Sequence, residues 1–235
     1  MPKIRIDGAD FFHERRDWFD DPSLTDAATA CIDAQRRAAA SARAAFQPNP
    51  GAEVEVSPER LAEILDAGGD IHGISSDRSI SNVIPFNAKH LNDAVNSPEV
   101  AALRERVDAM VIDRLRDTFE EGSRLTATSS GHFWYPPGAY MAWHTNSGAP
   151  GWRIYLTHAA EPGRSFFRYR RPTDGEIVTS LDHAWDVRLF RIDPEVPLWH
   201  AVFSQTDRFS LGYLLRTKRP LRALVGKVKK ALRAD

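Results

Sequence analysis

The chain is poor in the residues that mark several common functions. One cysteine, Cys31, stands among 235 residues, which excludes an internal disulfide and fits a reducing compartment. Set among alanines at helical spacing, it reads as a small core residue. Charge nearly cancels: 31 Lys and Arg against 32 Asp and Glu leave a formal net charge of -1, so no overall field selects a nucleic acid. No apolar run is long enough to span a bilayer. The opening MPKIRIDGADFF carries neither the apolar stretch nor the small-residue cleavage site of a secretory signal. No HExxH occurs, which argues against a zinc hydrolase of that type. With 42% hydrophobic and 27% charged residues, an ordinary balance for a folded protein, the expectation is a soluble, cytoplasmic chain forming one domain over 1–235.

What is present divides into two textures. The first part, 1–122, reads as helical support. Thr25 to Phe46 is alanine-rich and is stopped by QPNPG. Two further helices start at Ser57-Pro58 and Ser97-Pro98, each with serine as N-cap and proline at the first helical position. The last of these places Val100, Leu103, Val107, Val111, Leu115 and Phe119 on one stripe before Gly122 closes it. From 123 to 217 short β-prone runs (RLTATSSGHFWY, WRIYLTHA, RSFFRYRR, DVRLFRI, LWHAVFS, RFSLGYLL) are broken by turn chemistry such as PPG, PTDG and QTD. That spacing predicts an α+β protein whose strands form a double-sheet jelly-roll barrel, buttressed by the N-terminal helices. The tail, 218–235, reads as a basic amphipathic helix, packed on the body with a solvated basic face or laid on a membrane surface.

Of eight histidines, His144 in YPPGAYMAWHTN and His200 in LWHAVFS sit in separate strand-like segments and can meet at one metal, a role that imidazole fills for Fe, Zn, Cu and Ni. His132, at even spacing from Trp134, is a weaker candidate for the barrel interior. Arg208 and Ser210 lie just beyond the QTD turn and share one face by the period of two. A buried arginine fork suits a carboxylate. Asn146 follows His144 by two residues, which on an extended strand puts both on one side. Five tryptophans crowd this half and read mostly as barrel core. The alternating aromatic and basic residues of Arg164 to Arg171 suit either a solvated hairpin or an edge that grips an anionic substrate.

From about Leu125 to Leu215 the segment resembles the Fe(II)/2-oxoglutarate-dependent oxygenase superfamily. The features that carry the resemblance are the YPPG strand leading to H-x-N at His144 to Asn146, the R-I-Y strand, His200, and R-x-S at Arg208 to Ser210. The resemblance implies a double-stranded β-helix of cupin-like form, with Fe(II) at His144, His200 and Asn146. It implies 2-oxoglutarate and O2 as cosubstrates, with Arg208 and Ser210 on the far carboxylate of 2-oxoglutarate. Tyr155 would add a hydrogen bond to it, and Arg153 would serve cosubstrate or substrate. The reaction implied is hydroxylation of a C–H bond in a small-molecule or side-chain substrate, with an anionic or carboxylate-bearing one in view. Asn146 departs from the acidic residue usual there. The aspartate/asparagine β-hydroxylase branch works with two histidines and water in the third place. Asparagine, close to aspartate in size, does not open the vacancy that halogenating members use. The alternative is a catalytically inactive barrel that binds a small carboxylate or a partner protein.

Overall fold

The computed structural model describes residues 2–68, 80–86 and 97–217. Two antiparallel sheets carry the chain. One has six strands in the order β1 (Phe12–Arg15), β8 (Asp186–Ile192), β5 (Gly151–Ala159), β10 (Arg208–Thr217), β3 (Leu125–Tyr135), β2 (Ile84–Pro85). The other has four, in the order β4 (Ala139–His144), β9 (His200–Ser204), β6 (Ser165–Arg170), β7 (Ile177–Leu181). From β3 onward the chain steps back and forth between them, with only β6 and β7 joined as a hairpin within one sheet. This is the connectivity of a jelly roll. The fold is a double-stranded β-helix.

Apolar clusters cover the outer face of each sheet and fill the space between the two. Helix α1 (Pro22–Ala38) and helix α5 (Pro98–Thr118) pack on the outside of the larger sheet, where Leu24, Ala27, Cys31, Val107, Val111 and Leu115 meet Ile154, Leu156 and Leu189. Burial there pushes the Cys31 thiol up to about 12, so it is an inert packing group. The short helices α3 (Ala52–Glu55) and α4 (Pro58–Ala67) cover the smaller sheet through Ala52, Val56 and Leu61. A third cluster, with Tyr135, Phe167, Tyr169, Phe190 and Val202, lies between the sheets. No helix among the described residues is long and apolar enough to cross a membrane.

The helix starts are where capping chemistry puts them: the Ser57 and Ser97 hydroxyls accept from the Arg60 and Val100 amides at 3.1 and 3.3 Å. Four expectations change. The alanine-rich helix breaks at Ala39 (φ -96°, ψ 15°), and a separate α2 (Ala40–Ala45) follows. The first half also contributes strands, β1 and β2, to the edges of the larger sheet. The tryptophans avoid the barrel interior: Trp143 and Trp199 pack under α3 and α4, Trp152 beneath α5, and Trp134 beneath α1. His132 faces the helix side as well, edge-on to Tyr213 at 5.5 Å, and burial holds its pKa at about 3. The C-terminal basic helix expected over 218–235 lies outside the described residues.

Candidate functional site

His144 ends β4 and His200 opens β9, and the two are direct cross-strand partners. A register shift between Met141 and His144 marks a bulge, the usual device for re-aiming a strand's side chains. It turns Trp143 outward, where its indole donates to the Ser57 carbonyl at 2.8 Å, and His144 inward. The imidazole centroids stand 4.1 Å apart at 53°, a span that one ion at roughly 2.1 Å from each ring nitrogen can bridge. Each Nδ1 lies against a carbonyl two residues back: Ala142 O at 2.8 Å for His144 and Leu198 O at 2.9 Å for His200. A carbonyl only accepts, so both Nδ1 atoms carry the proton, and Nε2 is the acceptor nitrogen in each ring. Such outer bonds fix tautomer and orientation in histidines that hold metals. Phe167 stacks on His200 at 5.5 Å and Phe190 tilts against it at 5.2 Å. Burial, then the neighbouring His144, lowers the His200 pKa well below its usual value.

Asn146 is not on an extended strand. β4 ends at His144, and Asn146 takes the left-handed conformation, φ 56°, which asparagine tolerates better than most residues. Its side chain nevertheless reaches the pair, with Nδ2 at 3.2 Å from His200 Nε2. Because the His200 proton is on Nδ1, the amide donates to the same lone pair that a metal would take. Among the described residues no cluster of three or more His, Cys, Asp or Glu is placed to hold a metal. Among the described residues the donor set at the pair is two imidazoles and one amide.

The arginine predicted for the cosubstrate is also inside. β9 and β10 belong to different sheets, so the QTD segment crosses between layers and does not close a hairpin. Arg208 is 1% exposed and lies over the Tyr135 ring at 4.8 Å. Its Nε donates to Asp182 Oδ2 at 2.8 Å and Nη2 reaches Thr157 Oγ1 at 3.4 Å, while buried Nη1 has no partner. Ser210 is buried on the same strand. Tyr155 lies near both Arg153 and Arg208, although burial is the larger influence and raises its pKa. Its ring needs the space at Gly212, where a Cβ would come within 2.6 Å of it and of the Gly131 carbonyl.

Asp182, at the end of β7, was invisible in the sequence. It is fully buried, accepts from the Ser165 hydroxyl at 2.6 Å, from Arg208, and from Arg188 in a very short contact. Burial alone would raise its pKa, but Arg208 and Arg188 together overcome that and leave it at about 2. Against an ordinary 3.8, the depressed value stabilises the fold by on the order of 2 kcal/mol. That contribution is complete above about pH 4 and disappears as pH falls through 2. Urea midpoints measured from pH 5 down to pH 2 should fall more steeply in the native protein than in Asp182→Asn. Parallel declines would deny the carboxylate this role.

The basic residues of β6 are not at the site. Phe167 and Tyr169 point inward with the histidines, whereas Arg168 stacks on Phe166 at 4.4 Å and donates to the Val56 carbonyl at 2.7 Å. Arg171, just past the strand, pairs with Asp174 and Glu176.

No protein-family model matches the chain, and no curated protein matches it. Solved structures do. A prolyl hydroxylase from Trichoplax adhaerens, solved with a hypoxia inducible factor oxygen degradation domain peptide, superposes with a TM-score of 0.46 at 10% identity, over 89% of this chain and 84% of that one. The dioxygenase for auxin oxidation 1 from Arabidopsis thaliana, solved with 2-oxoglutarate, gives 0.44 at 12% identity over 93% of each chain. An oxidoreductase of the 2OG-Fe(II) oxygenase family from Burkholderia pseudomallei gives 0.41 at 13% over 79% and 94%. The chain is similar in structure to hydroxylases and dioxygenases. At these identities the chemistry has to be read from the side chains themselves.

Proposed function

We propose that the protein is a non-haem Fe(II)- and 2-oxoglutarate-dependent oxygenase that hydroxylates a C–H bond of a small-molecule or side-chain substrate. The observation that carries this reading is the opposed pair His144 and His200, each with Nδ1 tied to a backbone carbonyl and Nε2 turned to be a ligand. Imidazole donors suit iron, and the burial of both rings, 4% and 1% exposed, keeps the site away from bulk water. His144 and His200 would hold the iron, which would supply the activation of O2 that couples decarboxylation of 2-oxoglutarate to oxidation of the substrate.

The chain's own part is binding and placement. Arg208 spends Nε on Asp182, which fixes the plane of its guanidinium and leaves the Nη1 edge for the far carboxylate of the cosubstrate. Ser210 supplies a hydroxyl from the same strand and Tyr155 one from the neighbouring β5. Arg208→Lys keeps the charge and loses the fork, so the KM for 2-oxoglutarate should rise by about tenfold or more while Fe(II) affinity is unchanged. An unaltered KM would remove Arg208 from the cosubstrate.

Asn146 fits iron as a neutral third donor, provided its bond to His200 Nε2 is given up on binding. Asn146→Asp should tighten Fe(II) binding, because a carboxylate adds a negative charge at similar volume. Asn146→Ala should weaken it. Fe(II) affinity unchanged in Asn146→Ala would mean that iron uses the two histidines alone. A protein that takes up 2-oxoglutarate but no iron would instead be the inactive carboxylate-binding barrel. The buried, inert Cys31 agrees with a cytoplasmic setting.

A further inference from the structure

Three arginines are buried among the described residues: Arg153, Arg188 and Arg208. Two of them are neutralised inside the fold. Arg188 contacts Asp182, with Asp186 at 3.7 Å and Glu14 at 3.3 Å. Arg208 holds the other oxygen of Asp182. Among the described residues, Arg153, 5% exposed, has no acid within ion-pair distance, and its one hydrogen bond there is from Nη2 to the Ala149 carbonyl at 2.8 Å. A guanidinium has five N–H donors, so that bond leaves most of the group's capacity unused. Nη1 of Arg208 is buried without a partner, whereas the remaining Arg153 nitrogens keep contact with solvent and stay open to an incoming acceptor.

The position of Arg153 indicates what that is. It faces the interior from β5, directly opposite Phe190 of β8 and Leu214 of β10. Phe190 in turn packs against His200. Arg153 therefore stands at the histidine end of the space between the sheets, while Arg208 stands at the Asp182 end, with Tyr155 near both. Asn146 matters to the charge balance as well. Fe(II) and the two carboxylates of 2-oxoglutarate would cancel, and with an amide where an acid is usual no anion among the described residues is left for Arg153.

We propose that Arg153 binds a carboxylate of the substrate and so selects anionic substrates at the histidine pair. The proposal rests on the oxygenase reading for the word substrate, although its anion-binding core does not. The outward-facing arginines of β6 take no part in it. A purely structural Arg153, pinning the 145–150 segment through Ala149, predicts no preference between a carboxylate and its amide.

The test is a calorimetric titration of the protein, loaded anaerobically with Fe(II) and 2-oxoglutarate, with acetate, propionate and benzoate, each paired with its amide. At least one carboxylate should bind about tenfold tighter than its amide to the native protein. Arg153→Gln should abolish the preference and leave 2-oxoglutarate affinity within about twofold. Arg153→Lys should keep the preference at several-fold weaker carboxylate affinity. The proposal is overturned by equal binding of acids and amides to the native protein, by a preference that survives Arg153→Gln, or by carboxylate affinity unchanged in Arg153→Lys. A loss of tenfold or more in 2-oxoglutarate affinity in Arg153→Gln also overturns it, by moving Arg153 to the cosubstrate. If the native protein binds no iron, the oxygenase reading fails separately, and the same titrations on metal-free protein still decide the anion site.

Discussion

Replacing His200 with alanine is expected to lower Fe(II) affinity by at least about 100-fold, since even outer groups that only orient a ligand are worth 10 to 100-fold. His144→Ala should do the same. The two effects should not add, because removing either ring already leaves the ion with a single imidazole. Both variants should fold. His200 packs between Phe167 and Phe190, so its loss creates a cavity, but no charged partner is orphaned by it. Anaerobic equilibrium dialysis against Fe(II) gives the affinities, and circular dichroism checks the fold. A folded variant that binds iron as tightly as the native protein would separate that histidine from the metal.

The second large effect belongs to Asp182→Asn. The carboxylate joins Arg188 of β8 to Arg208 of β10 and takes the Ser165 hydroxyl of β6. An amide keeps the shape but leaves Arg208 without a buried counter-charge. Breaking one side of a buried pair costs about 3–5 kcal/mol, which for a chain of this size is a fall in Tm of roughly 6–20 °C. Arg208 would also lose the bond that orients it, so the KM for 2-oxoglutarate should rise more than kcat falls. Stability within about 0.5 kcal/mol of the native protein would show that the arginines find other partners.

Much of the fold could be read from the sequence because its signals are local. Ser57 and Ser97 with the prolines after them announce helix starts, and PPG, PTDG and QTD punctuate the strands. The strand-like settings of His144 and His200 allow them to meet, and the resemblance adds iron, but the register that makes them direct partners has no local signal across two strands so far apart. Asp182 shows the limit most clearly. In SLDHAWD it looks like any turn aspartate, as Asp174 in PTDG is. What sets it apart is three side chains that only the folded sheets bring to it. The tryptophans misled for a related reason: their size says that they are buried, but not on which face of a sheet. At Asn146 the sequence suggested the right neighbour by the wrong route, because an asparagine in the left-handed conformation reaches His200 from a turn. The arginines of β6 alternate with aromatics as an inward and an outward row, and only the topology tells which row meets the histidines.

The central claim is that His144 and His200 hold Fe(II) in a site that also takes 2-oxoglutarate. Anaerobic addition of Fe(II) and then 2-oxoglutarate to the purified protein tests it most directly, through the visible charge-transfer band that a 2-oxo acid produces when it chelates iron. The account predicts a band that saturates at one equivalent of each, is absent in His200→Ala, and needs more 2-oxoglutarate in Arg208→Lys. A folded protein that gives no band, or a band of equal strength in His200→Ala, would contradict it.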